Sequence, residues 1–457
     1  MRDMTQCVTD VAVIGAGIIG ISVAYYLKKA DPRLKVTLVD QGQPMAFTSA
    51  QSGENYRNWW PHPVMKRFTD HSLDLMEDIA RETDNRINMT RRGYVLATRA
   101  REIDELTDQL FAGYSNDPTN DIRLHDSDMT QTYVPADSEE WQTAPTGVDV
   151  LYGEEHINKH FPWYGGGLNT LIHIRRAGMI DSQQMGQVML ERFREWGGQR
   201  VCARVTAIEK KQNFFLVMDD GAEKLETTMV VNAAGPFIND ISKMLGVELP
   251  VYNVLQQKIA FEDVDKAIPR HMPFSIDLDN QVINWNEEEK ELLAADPDYA
   301  CLTREMPGAI HCRPEGDDKG TWVKIGWAYN GEPSEATLEP RLDDHFPEIA
   351  LRGAARLNPA LETYIGRMPR NHTHYGGYYT MTHENWPLIG PMGVDGTYVV
   401  GAMSGFGTMA ACASGDLCAG WILDGKVPHY AEQLSLQRYD NEALMVVLNA
   451  QLDRGLL

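Results

Sequence analysis

The chain has 457 residues, enough for two or three domains, and its 43% hydrophobic and 23% charged residues are typical of a globular protein. Its formal net charge of -23 argues against nucleic acid or an anionic membrane surface as a partner, because both attract basic proteins. The six cysteines form no CxxC pair and the 13 histidines form no HExxH motif, so we expect neither a disulfide framework nor a bound metal. Scattered thiols predict a reducing, cytoplasmic location.

The N-terminal segment has the pattern of a dinucleotide-binding βαβ unit. An apolar run precedes a GxGxxG motif at Gly15, Gly17 and Gly20, and the next apolar run ends at Asp40. We expect Gly15 to allow a tight turn, Gly17 to admit a pyrophosphate close to the backbone, and Gly20 to let the helix pack on the strand. Asp40 would accept hydrogen bonds from a ribose.

The same stretch could be a signal peptide or a membrane span, since residues 11–27 are almost all apolar. However, it is shorter than the roughly 20 residues that a span needs. Asp10 stands before it instead of a basic cluster, and no small-residue cleavage site follows. The glycine spacing therefore favours the nucleotide site, and we expect no membrane span.

Helical periodicity follows this unit. Apolar positions recurring every three to four residues predict helices over 63–76, 101–110 and 182–196, and residues 93–97 have the pattern of a strand. The Asp- and Pro-rich region 114–149 is weakly periodic, so we expect loops and short helices there.

The second half of the chain is richer in strand patterns. A buried strand is predicted at 229–235, and from residue 251 short β-prone runs indicate a mostly antiparallel sheet. Further strands are predicted at 201–209, 214–219, 257–261, 309–313, 321–325 and 398–401, and helices at 345–357 and 409–423.

These elements predict an α/β plus α+β fold, in which a Rossmann-like domain is interleaved with a mainly antiparallel β-sheet substrate domain. We assign residues 1–94, 148–250 and 358–457 to the dinucleotide-binding domain. Residues 95–147 and 251–357 are assigned to the substrate domain.

Four separated motifs resemble, in order, the D-amino acid oxidase superfamily of FAD-dependent oxidoreductases, in its sarcosine oxidase and glycine oxidase branch. The last of them, residues 400–408, resembles the family's GxSGHGF turn, and residues 230–237 resemble its VVNAAGAW segment. The other two are the N-terminal unit with residues 48–55, and residues 364–369 leading to 382–390. The resemblance spans nearly the whole chain and implies FAD as the cofactor.

The resemblance also implies which residues hold FAD. The glycine motif would hold the pyrophosphate, Val205 would contact adenine through its backbone, and the turn around Ser404 would lie by the flavin pyrimidine ring, where a helix N-terminus stabilises negative charge. The full implied set is Gly15, Gly17, Ile18, Ile19, Gly20, Asp40, Gln41, Thr48, Ser49, Ala50, Gln51, Ser52, Asn55, Val205, Ala233, Ala234, Gly235, Gly401, Met403, Ser404, Gly405, Phe406, Gly407 and Thr408.

Departures from the family pattern predict that FAD is not covalently attached. Thr321 stands where we expect some relatives to carry a linking cysteine, and Gln51 and Ser52 stand where others carry a linking histidine. Phe406 replaces a histidine that is frequent in relatives. Cys312 is predicted to be a buried structural thiol.

The segment 55–62 is the first candidate for substrate contacts. Arg57 could pair with a substrate carboxylate, because its planar guanidinium suits bidentate binding. Tyr56, Trp59 and Trp60 could form an aromatic slot for an amine. The open alternative is that the tryptophans pack a domain interface and that Arg57 forms an ion pair.

Lys258, His311, Arg313 and Lys324 lie on strands that form a roof over the flavin in relatives. Alternation places His311 and Arg313 on one face of their strand, but each residue taken singly is more typical of a structural or solvent-facing position than of a catalytic one. Lys324 matches the lysine of the family's GLKLG run. A lysine close to the flavin would favour reaction with oxygen.

The implied activity is oxidation of a secondary amine or amino acid at the carbon next to nitrogen, by hydride transfer to flavin N5, giving an imine that hydrolyses. O2 or another electron acceptor would take the electrons. Two alternatives stay open. One is oxidation of a 2-hydroxy acid or polyol. The other is a flavoprotein with an assembly or partner-binding role, which an exposed tryptophan pair would favour.

Overall fold

The computed structural model describes residues 7–114, 122–126, 132–136, 141–219, 223–297, 299–423 and 425–450. Within these residues an eight-stranded and a nine-stranded sheet organise the chain. The strands are β1 (Cys7–Ile14), β2 (Val36–Asp40), β3 (Asn55–Arg57), β4 (Tyr94–Thr98), β5 (Ile122–His125), β6 (Val148–Tyr152), β7 (Thr170–Ile174), β8 (Ala177–Met179), β9 (Gln199–Cys202), β10 (Val205–Lys210), β11 (Phe214–Met218), β12 (Glu223–Asn232), β13 (Val251–Glu262), β14 (Phe274–Asp277), β15 (Gln281–Val282), β16 (Glu305–Met306), β17 (Ile310–Glu315), β18 (Trp322–Gly326), β19 (His372–Thr382), β20 (Leu388–Pro391) and β21 (Thr397–Gly401). The helices are α1 (Ile18–Ala30), α2 (Pro63–Glu82), α3 (Asp104–Tyr114), α4 (Glu154–His160), α5 (Ser182–Glu195), α6 (Ile238–Met244), α7 (Glu287–Ala295), α8 (Phe346–Ala355), α9 (Gly407–Leu423) and α10 (Glu442–Asn449).

The eight-stranded sheet contains the predicted βαβ unit. β1 pairs in parallel with β2 and with β12, and β2 pairs in parallel with β9. α1 packs against α9 and α5 on this sheet. The predicted strand 201–209 is split in two, because its first part pairs with β2 while β10 turns away to pair antiparallel with β11.

The nine-stranded sheet has the order β19-β13-β18-β17-β14-β4-β7-β6-β5. Six of its eight neighbouring pairs are antiparallel, and only β14 with β4 and β5 with β6 are parallel. The two sheets confirm the predicted fold class of a Rossmann-like part combined with a mainly antiparallel sheet.

Sheet membership suggests a domain division that differs from the one drawn on the sequence. β6 and β7 lie within 148–250, and β19 lies within 358–457, yet all three pair in the nine-stranded sheet. Short apolar strands give no local signal for which sheet they join. We therefore propose that the substrate domain comprises the segments from β4 to β7 and from β13 to β19.

Most predicted helices are present, since α2, α5, α8 and α9 cover the predicted positions. The predicted loop region 114–149 lies partly outside the described residues, and its described part contains β5 and the start of β6. In the described ranges, no helix has the length and apolar character needed to cross a membrane.

Candidate active site

A cleft of about 530 Å³ lies where the two sheets meet, and residues from all three segments assigned to the dinucleotide-binding domain line it. Of the implied FAD residues, those lining the cleft are Gly15, Gly17, Ile18, Ile19, Asp40, Gln41, Thr48, Ser49, Gln51, Ser52, Ala233, Ala234, Gly235, Gly401, Met403, Ser404, Gly405, Gly407 and Thr408. These residues come from chain segments far apart in sequence, so the tertiary fold assembles one elongated site from them.

The glycine turn packs at distances that only glycine permits. Gly15 has φ +109°, and a Cβ there would lie 2.3 Å from the carbonyl oxygen of Ala233. A Cβ on Gly20 would lie 1.9 Å from the carbonyl oxygen of Gly15. The N-terminal turn of α1 lies at the cleft, because Gly17, Ile18 and Ile19 line it, and a helix N-terminus after a glycine turn is the arrangement that binds phosphate. The N–H of Ile18 donates a hydrogen bond to Ser49 Oγ at 2.9 Å.

Asp40 is held beside the glycine turn by two backbone donors. Its carboxylate accepts hydrogen bonds from the N–H of Ala16 at 2.6 Å and of Gly42 at 2.7 Å. A carboxylate has about four lone pairs, so it keeps capacity to accept ribose hydroxyls. The placement fits a ribose next to a pyrophosphate.

The other end of the cleft is formed by the turn that precedes α9. Ala402 and Ser404 have φ of 56° and 44°, a left-handed backbone that turns the chain sharply before α9 begins at Gly407. A Cβ on Gly405 would lie 2.6 Å from the ring of Tyr379. This turn points the N-terminus of a 17-residue helix at the cleft, where its partial positive charge would stabilise an anionic ring edge.

Five of the implied FAD residues lie outside the cleft lining. Gly20 acts in packing, as described above, and Phe406 turns away and packs on Trp60, with ring centroids 4.9 Å apart. Val205 is buried at the start of β10. The other two are Ala50 and Asn55, which flank the lining residues Gln51 to Gly53.

Strand β19 is the part of the site that sequence reasoning missed. Gly377, Tyr378, Tyr379 and Thr380 line the cleft. A Cβ on Gly377 would lie 3.0 Å from Gln51 Cβ, so the backbone of β19 packs directly against a residue that is implied to contact FAD. The pair Gly376-Gly377 inside a β-prone run was the available signal, because glycine within a strand marks a close approach. The other lining residues not foreseen are Ala16, Gly42, Gln43, Ala46, Phe47, Gly53, Pro236, Phe237, Leu338, Val400 and Ala402.

The positions considered for covalent attachment are separated by the fold. Thr321 precedes β18 and lies outside the lining, whereas Gln51 and Ser52 are in it. Among the described residues that line the cleft, none is a cysteine or a histidine. Cys312 is buried as predicted, and burial raises the pKa of its thiol.

The four roof residues share one face of the nine-stranded sheet. Directly opposite residues in neighbouring strands point to the same side. Lys258 lies opposite Gly326, which lies opposite His311, and Lys324 lies opposite Arg313. This face is the one that looks toward the cleft, yet Lys258 is the only one of the four that lines it.

Arg313 and Lys324 are held in an ion cluster with Glu54 and Glu315. Lys324 Nζ lies 3.2 Å from Glu54 and 3.0 Å from Glu315, and the Arg313 guanidinium lies 2.8 Å from Glu315. Glu54 is fixed in turn by the hydroxyl and backbone N–H of Ser182. The two deeper cations are thus neutralised by two carboxylates.

Lys258 differs from these cations. Its side chain is buried, and within the described chain no hydrogen bond or ion pair with a carboxylate reaches its Nζ. Nζ lies 5.5 Å from the centroid of the Tyr379 ring. Burial, followed by repulsion from Lys324, lowers the pKa of Lys258 to about 8. It therefore still carries its charge at neutral pH.

His311 is poised to stay neutral. Burial, followed by the charge of Lys258, lowers the pKa of His311 to about 3. Its Nδ1 lies 3.2 Å from the carbonyl oxygen of Ala309, and its ring packs on Phe274. His311 thus lies on the same sheet face as Lys258, outside the cleft lining, and carries no charge at neutral pH.

The structure places Arg57, Tyr56, Trp59 and Trp60 outside the cleft lining. The Arg57 guanidinium is fully buried 5.6 Å from the Trp59 ring, 5.3 Å from the Trp60 ring and 5.0 Å from the Tyr94 ring. Tyr56 donates from its hydroxyl to the carbonyl oxygen of Thr90 at 2.5 Å. The two tryptophans belong to different hydrophobic cores, one beside each sheet, so they pack the interface between the two parts of the molecule.

Residues 10–421 match the family described as "DAO: FAD dependent oxidoreductase". This match covers most of the chain, which therefore belongs to that family of FAD-dependent oxidoreductases, and FAD is its cofactor. The lining residues fit the cofactor, because the glycine turn at the start of α1, the Asp40 carboxylate and the N-terminus of α9 all line the same cleft.

Individual relatives are more distant. Mitochondrial dimethylglycine dehydrogenase of Mus musculus is 23% identical over 434 residues, which is 94% of this chain but 44% of that enzyme. The chain thus spans less than half the length of that relative. The structure resembles L-proline dehydrogenase from P. horikoshii (TM-score 0.72, 16% identity, 95% of this chain and 99% of that one) and glycine oxidase from Geobacillus kaustophilus (TM-score 0.68, 16% identity, 95% and 99%). These structural matches show the shared fold.

Proposed function

We propose that this protein oxidises a secondary amine or an amino acid at the carbon next to nitrogen, giving an imine that hydrolyses. The observation that carries the proposal is the single cleft in which the FAD-family motifs meet the roof of the nine-stranded sheet. The similarity of this chain to dimethylglycine dehydrogenase and to glycine oxidase supports an amine or amino acid as the substrate.

The residues of this chain bind and orient FAD and the substrate, and the cofactor supplies the redox chemistry. FAD, when bound, accepts a hydride equivalent from the substrate carbon. The glycine turn and Asp40 would hold its phosphates and ribose, and the turn before α9 would stabilise negative charge at the ring. Because the described cleft lining has no cysteine or histidine, we propose that FAD is bound non-covalently. Acid precipitation should then release all flavin into the supernatant.

A second candidate is oxidation of a 2-hydroxy acid. L-2-hydroxyglutarate dehydrogenase of Indibacter alkaliphilus is 21% identical over 239 residues, or 51% of this chain. The third alternative, a partner-binding flavoprotein, would be favoured by an exposed tryptophan pair. Trp59 and Trp60 are 1% and 2% exposed, so that support is missing.

The test is an anaerobic titration of the FAD-loaded protein with N-methyl and cyclic amino acids and, in parallel, with 2-hydroxy acids. Bleaching of the flavin band near ~450 nm by an amine supports the proposal, since the cofactor itself takes the electrons. Bleaching by hydroxy acids alone would replace it with the second candidate. Reoxidation by air or only by a dye then tells whether O2 is the acceptor.

A further inference from the structure

The charges around the roof of the cleft do not balance. Lys258, Arg313 and Lys324 contribute three positive charges, and Glu54 and Glu315 contribute two negative ones. Both carboxylates are engaged with Arg313 and Lys324. The cation without a carboxylate partner in the described chain is Lys258, which is also the one that lines the cleft.

A buried ammonium without a partner is costly, and proteins retain such groups mainly at functional sites. Lys258 is 6% exposed, and that remaining exposure is to the cleft, beside the ring of Tyr379. A Cβ on Gly53 would lie 3.9 Å from Lys258 Cε, so the lysine stem is flanked by the loop that follows Gln51. Its position is therefore set by packing on both sides.

From this arrangement we infer that Lys258 binds the carboxylate of the substrate. The inference rests on the proposed function and narrows it to substrates that carry a carboxylate close to the oxidised carbon. A bound carboxylate would be the third negative charge and would make the roof cluster neutral. Simple amines and polyols lack this group, so the cleft should discriminate against them.

The same geometry reassigns the role that the sequence suggested for Arg57. Its guanidinium lies under the rings of Trp59, Trp60 and Tyr94 and does not reach the described cleft lining. Arg313 and Lys324 have carboxylate partners already. Lys258 is thus the cation that a ligand in the cleft can contact without breaking an existing ion pair.

The experiment measures carboxylate binding without turnover. Methoxyacetate and its uncharged analogue methoxyacetamide are titrated into FAD-loaded protein, and binding is read from the change in the flavin absorption spectrum. The variants are Lys258→Met, which keeps the side-chain length, and Lys258→Arg, which keeps the charge. Lys319→Met, on an exposed lysine in the turn between β17 and β18, is the matched control.

We expect the wild type and the control to bind methoxyacetate and to prefer it over the amide. Lys258→Met should weaken methoxyacetate binding about 10- to 100-fold, the range for a lost hydrogen bond to a charged group, and Lys258→Arg should recover part of it. Binding of the amide should not change. Affinity for methoxyacetate should fall above about pH 8, where Lys258 loses its proton.

Equal methoxyacetate affinity in wild type and Lys258→Met would overturn the inference, as would equal affinity of the wild type for acid and amide. Loss of FAD from Lys258→Met would also overturn it, because the lysine would then serve the cofactor. These outcomes are independent of the amine titration. A protein that no amine bleaches but that loses carboxylate binding in Lys258→Met contradicts only the proposed function.

Discussion

Lys258 and Lys324 share one face of the nine-stranded sheet, but only Lys324 is paired with carboxylates, at 3.2 Å from Glu54 and 3.0 Å from Glu315. Repulsion from Lys324 is the second cause, after burial, that lowers the pKa of Lys258 to about 8. The paired lysine thus tunes the one that faces the cleft.

We expect Lys324→Met to raise the pKa of Lys258. The substitution removes a repelling charge and leaves Glu54 and Glu315 with one cation fewer, and both changes favour the protonated amine. The alkaline fall in methoxyacetate affinity should move upward by on the order of one pH unit. The measurement is the pH dependence of the dissociation constant, with Lys319→Met as the control. If the pH at which methoxyacetate affinity falls is the same in Lys324→Met as in the wild type, the two lysines are not coupled.

Gly17→Val should abolish FAD retention while preserving the fold. A Cβ at Gly17 meets only the hydroxyl of Ser49, at 3.1 Å, so the free protein can accommodate it. The added methyl groups would nevertheless occupy the space where a pyrophosphate approaches the backbone. Flavin absorbance per mole of protein and the far-ultraviolet circular dichroism spectrum measure the two effects.

The control for this substitution is Gly331→Val, at a position where a Cβ would meet nothing within 4 Å. It should keep its full flavin content. A Gly17→Val protein that purifies with one FAD per chain would contradict the assignment of the glycine turn to the pyrophosphate.

Arg57→Met should destabilise the protein and leave carboxylate binding unchanged. The guanidinium packs on three buried aromatic rings, and desolvated contacts of this kind contribute about 2 kcal/mol or more together with the packing of the stem. We expect a lower denaturant midpoint and a methoxyacetate dissociation constant within about twofold of wild type, which is less than ~0.5 kcal/mol. Lys258→Met should show the reverse pattern. A large loss of methoxyacetate affinity at unchanged stability would return the carboxylate role to Arg57.

His173 should contribute to loss of stability in acid. It is buried, its Nε2 lies 2.9 Å from the carbonyl oxygen of Arg92, and Tyr133 Oη lies 2.9 Å from its Nδ1. Burial, followed by the charge of Arg175, lowers its pKa from 6.5 to about 3. The unfolded chain therefore takes up a proton below about pH 6.5 that the folded protein refuses until about pH 3. Each such group removes about 1.4 kcal/mol of stability per pH unit across that window.

Urea unfolding of the wild type and of His173→Gln between pH 6.5 and pH 4 tests this. The variant should be less stable at neutral pH, because Tyr133 loses its partner. Its free energy of unfolding should nevertheless fall less steeply with acid, because its unfolding takes up about one proton fewer than that of the wild type. His372→Gln, on an exposed strand residue, is the control. Parallel slopes for wild type and His173→Gln would show that His173 takes up its proton in the folded state as well.

The cofactor end of the site was largely predictable because its requirements are local. A phosphate-binding turn needs glycine where the backbone has φ +109° at Gly15 or where Gly20 meets the carbonyl of Gly15, and Asp40 follows at the end of the next strand. Such requirements appear as residue types at fixed spacing. Phe406 shows the limit, since its position in the motif did not reveal that its ring packs on Trp60 and not on the cleft.

The substrate end depended on contacts between strands distant in the chain. Alternation placed His311 and Arg313 on one face, but nothing local told which face meets the cleft, or that β19 lies beside β13 and presents Gly377 to Gln51. The sequence favoured Arg57 over Lys258 as the partner of a substrate carboxylate, because residue type and charge alone do not reveal surroundings. Only the tertiary structure separates them, since it stacks three aromatic rings around Arg57 and gives both nearby carboxylates to Arg313 and Lys324, leaving Lys258 as the charge that faces the cleft.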